Sequence, residues 1–234
     1  AGAAFMGLAA EASAHGAWIA ERWGKLAVVY GHGAGDDPYD PAKLTGLTAL
    51  AEDGKEIEVK QVKADNHVVL EPASEPALIA LEFDNGFWTQ DAEGKWSNKP
   101  KNEVPGAKEG GRYIKNGISL VHIHDALPAF PPQSLQIVPL SNPIGRHAGD
   151  KIKVRVLFEG KPVSGKTLLL DYVNLPSLKS GPTDANGEVE IEIRNDGLNV
   201  IAVDHAVPLT DDPAADEVGY TATLTFVAEP HVDE

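Results

Sequence analysis

Glu56-Ile57-Glu58-Val59-Lys60-Gln61-Val62 alternates polar and apolar side chains, the period-two pattern of a strand with one face in water. Leu47 to Leu50 precedes it as an apolar strand, and Glu52-Asp53-Gly54 supplies the turn between the two. The same pattern extends in both directions. Leu26-Ala27-Val28-Val29-Tyr30 is a short apolar run stopped by Gly31, which predicts a buried strand, and Gly31 to Gly35 followed by Asp36-Asp37-Pro38 predicts a loop. Val68-Val69-Leu70, Ala77 to Phe83 and Ile118 to Ile123 read as further strands. Between the last two, Asp84 to Gly111 is rich in Trp, Lys, Asn, Gly and Pro, and is expected to form a long surface excursion carrying Trp88 and Trp96.

Pro128, Pro131 and Pro132 break the chain and suggest a linker near residues 127–134. Beyond it, Leu135 to Leu140, Lys151 to Phe158, Thr167 to Val173, Glu188 to Arg194, Asn199 to Val203 and Tyr220 to Val227 read as short strands. Glu159-Gly160-Lys161-Pro162 and Asp184-Ala185-Asn186-Gly187 read as hairpin turns. Helical periodicity of useful length is missing outside the N-terminal segment. The expected fold is all-β, as two antiparallel β-sandwich-like domains: residues 15–127, which include the excursion, and residues 135–234.

The 35 Asp and Glu against 20 Lys and Arg give a formal charge of −15, which argues against nucleic acid or anionic lipid as a main partner and favours cations. With 0 cysteines, disulfides and thiolate metal sites are excluded, so any metal must be held by imidazole, carboxylate or a free amine. Ala1 to Ala10 is a run of small and apolar residues, and Ala12-Ser13-Ala14 offers small residues before a cleavage point. Residues 1–14 are therefore expected to be the remnant of a cleaved signal peptide. Export to the periplasm would then leave a chain starting at His15. No later segment approaches the roughly 20 apolar residues of a membrane helix, so direct membrane insertion is not expected.

The histidines carry the functional expectation. His122-Ile123-His124 is read as a strand, in which alternate side chains share a face, so both imidazoles point the same way while Ile123 faces the core. Residues two apart in a strand are about 6.5 to 7 Å apart, a gap two rings can close on one ion. Asp125 would orient a ligand or begin the turn. Cleavage before His15 would pair an imidazole with an α-amine more easily deprotonated than a lysine, a chelate suited to nickel, cobalt or copper. His32, between Gly31 and Gly33, sits where the backbone turns sharply, and His205 is placed at a strand end after Asp204. His67, His147 and His231 read as surface residues, and Asp36, Asp37 and Asp40 as a solvated loop. Nucleophile elbow, phosphate loop, dinucleotide fingerprint and zinc-protease helix are all missing, so the chain is not read as an enzyme.

Several segments together resemble a known family: Ala14-His15-Gly16-Ala17-Trp18; Tyr30-Gly31-His32-Gly33 leading to Tyr39-Asp40-Pro41-Ala42-Lys43; Trp96-Ser97-Asn98-Lys99-Pro100; Ile137 to Leu140 through His147-Ala148-Gly149-Asp150; Val156 to Val163; Thr183 to Gly187; and Asp204-His205. Their order resembles the exported domain-of-unknown-function family described as the periplasmic component of an ABC-type cobalt or nickel transport system. The second half also resembles the transthyretin-like or carboxypeptidase-regulatory β-sandwich. The first resemblance implies nickel or cobalt acquisition with a membrane transporter as partner, and maps metal ligands onto His15, His32 and His205. His122 and His124 join them on spacing alone. Zinc and copper fit the same ligand types. Two other functions stand beside metal binding: a metal-independent carbohydrate- or protein-interaction module using Trp88 and Trp96, and a metal-dependent hydrolase.

Overall fold

The computed structural model describes residues 15–231. Its strands are β1 (Gly16–Arg22), β2 (Lys25–Gly31), β3 (Leu44–Leu50), β4 (Glu56–Ile57), β5 (Val59–Lys63), β6 (Val68–Pro72), β7 (Leu78–Gln90), β8 (Trp96–Ser97) and β9 (Glu109–Leu120), followed by β10 (Leu135–Pro139), β11 (Lys151–Phe158), β12 (Lys161–Pro162), β13 (Thr167–Asp171), β14 (Leu175–Pro182), β15 (Glu188–Glu192), β16 (Gly197–Pro208) and β17 (Glu217–Ala228). The helical elements among the described residues are two single 3-10 turns, Pro41–Lys43 and Lys101–Glu103. The protein is all-β, as the alternating patterns predict.

The architecture has three layers. A nine-stranded sheet, ordered β14-β13-β16-β17-β9-β7-β3-β4 with β8 paired to β7, lies in the middle. Alternation along its strands sends one set of side chains to each face. Leu78 and Ala80 of β7, Ile118 and Leu120 of β9, Ile201 and Val203 of β16, and Leu224 and Phe226 of β17 pack with Ile137, Ile152, Val154 and Val156 of the sheet built on β10 and β11. The intervening residues Ile79, Leu81 and Phe83 pack with Ala17, Ile19, Val28, Tyr30 and Leu70 of the β1-β2-β6-β5 sheet. Val200 and Ala202 join Trp18, Ala20, Val29 and Tyr172 on that same side. Each such aliphatic or aromatic side chain contributes about 1.5–3 kcal/mol on burial, so the middle sheet is anchored from both faces.

Several expectations change here. The middle sheet draws strands from both sides of residues 127–134, joined where β9 runs parallel to β17 from Gly111↔Glu217 to Ser119↔Thr225. The halves therefore share a sheet instead of each closing its own. A parallel pair requires a long crossover, which β10 to β16 provide, and no local pattern announces such a contact. Asp84 to Gly111 is not a free excursion. β7 and β9 reach into its two ends as paired arms, from Leu78↔Leu120 to Gln90↔Glu109, with an irregularity between Asp84 and Gly86, and residues 91–108 form the excursion between them. The chain beginning at Gly16 forms β1, paired with β2 through a Trp23-Gly24 turn. Both turn residues have positive φ (50 and 75°), the conformation of a primed two-residue hairpin turn. The Asp184 turn is as expected: its Oδ1 accepts from the backbone N–H of Asn186 and of Glu188.

Candidate functional site

The β1–β2 ladder pairs Gly16 with Gly31, so His15 and His32 stand opposite each other one step past its end. A strand pair brings such cross-strand neighbours into contact range. Their ring centroids lie 6.5 Å apart. Gly31 makes the following loop possible: a Cβ there would sit 2.0 Å from the carbonyl oxygen of Gly35. Gly33 takes a φ of +62°, which favours glycine. The loop then returns, and the Asp37 N–H donates to the Tyr30 carbonyl at 2.8 Å. This puts the Asp37 carboxylate 2.6 Å from Nε2 of His15.

Aromatic rings frame the pair. The buried His15 ring stacks on Tyr30 at 4.8 Å, and the exposed His32 ring meets Tyr172 edge-on at 5.4 Å. The Tyr172 hydroxyl donates to the Gly31 carbonyl at 3.1 Å, tying the glycine loop to the C-terminal half of the chain. On the other side, the buried Asn85 donates through Nδ2 to the Tyr30 hydroxyl and accepts from Lys43 Nζ, both at 2.9 Å. Burial pushes the Lys43 ammonium pKa down, while Asp40 and Asp84 push it back up. His15, His32, Asp37, Lys43, Asn85 and Trp88 line a pocket of ≈ 720 Å³.

Beside the pocket lies a polar chain, buried at Lys115 and Thr221 and open to solvent at Asp204, that the sequence does not announce. Lys115 of β9 donates to Thr221 of β17 at 3.2 Å, and Thr221 donates to Asp204 of β16 at 2.8 Å. Lys115 is 0% exposed. Burial pushes its pKa down to about 7, with Asp204 working against the shift. Burial likewise raises the Asp204 carboxyl, opposed by its Thr221 hydrogen bond, by Lys115 and Lys166, and by His32. The sequence gives little sign of this chain, because Lys115 precedes the apolar run that starts at Ile118 and a lone Asp204 beside a histidine carries no spacing signal.

His205 is not at a strand end but inside β16, and it does not join this cluster. Asp204 faces the β1–β2 side, so alternation turns His205 to the other, where its ring lies 4.4 Å from Phe158. Its Nδ1 is buried without a hydrogen-bond partner among the described residues, and burial lowers its pKa.

His122 and His124 meet as expected, but in a loop and not in a strand, because β9 ends at Leu120. Ile123 is 4% exposed and belongs to the core on the β10–β11 side, so it anchors the loop while its neighbours face outward. The two Nε2 atoms are 3.0 Å apart. The Glu52 carboxylate accepts from the backbone N–H of His124 at 2.8 Å and of Asp125 at 2.7 Å, which fixes the loop. The pair lies far from His15 and His32. Asn85, at the pocket, and Leu78, paired with Leu120, are seven residues apart on β7, roughly 23 Å at about 3.3 Å per residue.

The five candidate histidines thus occupy three places. A further pair, His147 and His231, meets at 5.1 Å between ring centroids, with His231 Nδ1 3.2 Å from Asp196. His67 sits half-buried beside Asn66. Trp88 is half-buried, with its Nε1 donating to the Asn85 carbonyl at 3.1 Å, while Trp96 lies in β8. Among the described residues, no group of three or more His, Asp or Glu side chains is arranged to hold an ion as it stands. None of their helices is long and apolar enough to cross a membrane. The expected cleavage point after Ala14 lies outside the described residues.

An uncharacterized protein of Haemophilus influenzae is 28% identical to this chain over 156 residues, a match covering 66% of this chain and 66% of that protein. Residues 12–207 match a family-wide pattern, and the chain belongs to the family described as Domain of unknown function (DUF4198).

Proposed function

We propose that this chain is a periplasmic transition-metal-binding protein that takes up nickel or cobalt at the His15–His32 pocket and presents it to a membrane transporter. One observation carries the reading: two imidazoles from facing strands stand 6.5 Å apart by ring centroid, with a carboxylate fixed on one of them. A carboxylate on one ring nitrogen of a ligating histidine sets its tautomer and orientation. In this reading Asp37 orients the His15 ring through Nε2, and the ion is taken at Nδ1. Nδ1 lies on the same side of the ring as the residue's own α-amine, so cleavage after Ala14 would complete a chelate from His15 alone. His32 would then supply the third nitrogen, and solvent the remaining positions. Nitrogen donors of this kind suit nickel, cobalt and copper, with zinc also accommodated. The formal charge of −15 draws cations towards the protein. The chain has no role as an enzyme in this reading.

Calorimetric titration of the chain starting at His15 with Ni²⁺, Co²⁺, Cu²⁺ and Zn²⁺ tests it. The His32→Ala variant, and the same chain with one extra residue before His15, are each expected to bind the pocket ion tenfold or more weakly. Equal affinity in all three proteins would sink the proposal.

A further inference from the structure

We infer that His122 and His124 form a second, separate binding site for a transition-metal ion, one that does not depend on the His15–His32 reading. Its geometry is specific. His124 Nδ1 faces Glu52 Oε2 at 3.3 Å, and His122 Nδ1 faces Glu75 Oε1 at 3.4 Å. Each ring therefore turns one nitrogen to a carboxylate, the arrangement that orients metal-ligating histidines. The other nitrogens, both Nε2, point at each other across 3.0 Å. At 3.0 Å one Nε2–H donates to the other ring, and moving that proton to the Nδ1 beside a carboxylate gives both Nε2 atoms a lone pair for a single cation. For a metal–nitrogen bond of about 2.1 Å, a nitrogen separation of 3.0 Å corresponds to an angle of about 90°. That is the cis relation of a square-planar or octahedral ion, and it is narrower than a tetrahedral zinc site prefers. Cu²⁺ and Ni²⁺ are therefore the ions of choice.

The site is half-open. The side chains of His122 and His124 are 46% and 69% exposed, so water fills the remaining coordination positions. The backbone beneath is held: Ile123 is buried, its carbonyl accepts from Asn142 at 3.3 Å, and Glu52 grips the two following N–H groups. The rings are thus mounted on a fixed turn and need no folding step to meet.

The test is calorimetry of the chain with Cu²⁺ and with Ni²⁺, comparing the parent, a His122→Ala/His124→Ala double variant, His32→Ala and Glu52→Gln. The double variant is expected to lose one equivalent of ion, and Glu52→Gln to weaken that equivalent about tenfold. His32→Ala is expected to leave it intact. Cu²⁺ bound to His32→Ala should show nitrogen couplings in its electron paramagnetic resonance spectrum that disappear when His122 and His124 are also removed. Unchanged stoichiometry and spectrum in the double variant would overturn the site. A parent that binds one ion, lost in the double variant but not in His32→Ala, would support this site and refute the pocket instead. The reverse loss would overturn this site and leave the pocket standing.

Discussion

His15 and His32 are held by the whole fold, whereas His122 and His124 are held by one loop. The first pair sits at the end of a strand ladder, against Tyr30 and Tyr172, beside a partly buried polar chain that crosses three strands. The second pair sits on a turn secured by one buried isoleucine and one carboxylate. Both pairs put a carboxylate on a ring nitrogen, so local chemistry does not distinguish them. What differs is how far a substitution should propagate. Changes around the pocket should cost stability as well as any bound ion, while changes on the loop should alter binding and leave the fold intact.

The largest expected effect lies beneath the pocket. Lys115 has a folded-state pKa of about 7 because burial disfavours its ammonium form. A lysine in the unfolded chain titrates near 10.4, so between these values the unfolded state binds the extra proton and stability rises with pH. Below about pH 7 the burden is fully present, and it is relieved as pH climbs through the window. The total is on the order of 5 kcal/mol. Urea denaturation from pH 7 to 10 should show this rise in the parent and a much flatter profile in Lys115→Met. A parent with no slope would mean that Lys115 keeps its charge through the neighbouring Asp204.

Next comes the glycine loop. Adding one methyl group at Gly31 places it 2.0 Å from a backbone oxygen, and the loop must move to make room. Gly31→Ala should cost about 2–3 kcal/mol in denaturant melts, as overpacked positions do. It should also displace His32 and Asp37 from His15. Tyr172→Phe should cost less, about 1 kcal/mol, by removing the buried hydroxyl that donates to the Gly31 carbonyl. Thermal unfolding of both variants measures these costs. If Gly31→Ala proved harmless, the close approach of Gly31 to Gly35 would not be essential to the loop.

The two regions also differ in how visible they were in the sequence. Alternation located the strand centres, and β11 matches the sequence reading over its full length, Lys151–Phe158. Spacing alone brought His122 and His124 together, although in a loop. A buried Ile123 between two outward residues produces the same convergence as a strand would. The meeting of His15 and His32 needed the register of a hairpin whose turn, Trp23-Gly24, has few of the usual turn residues. His205 failed for a related reason. Once β16 extends to Pro208, side-chain parity gives the pocket side to Asp204 and the opposite side to His205. The parallel contact of β9 with β17 joins segments more than a hundred residues apart, and no periodicity within either strand encodes it.

The smallest expected effects fall on the loop, and they separate its anchoring from its histidines. His122→Ala and His124→Ala should change stability by less than about 0.5 kcal/mol, as exposed substitutions do. Glu52 is different because its carboxylate fixes the backbone. Its pKa is held below the usual carboxylate range, first by the Asp125 N–H and then by His124. A depressed carboxylate stabilises the folded loop above its unfolded pKa, and that contribution is lost as pH falls through the lowered folded value. The amides of His124 and Asp125 should therefore stay protected from hydrogen exchange in mildly acid solution, where an ordinary glutamate begins to protonate. They should open at lower pH. In Glu52→Ala the same two amides should exchange freely at every pH, while amides in β9 keep their protection. Equal protection in the parent and Glu52→Ala would show that the buried Ile123 alone fixes the turn, and the two imidazoles would then owe their meeting to core packing.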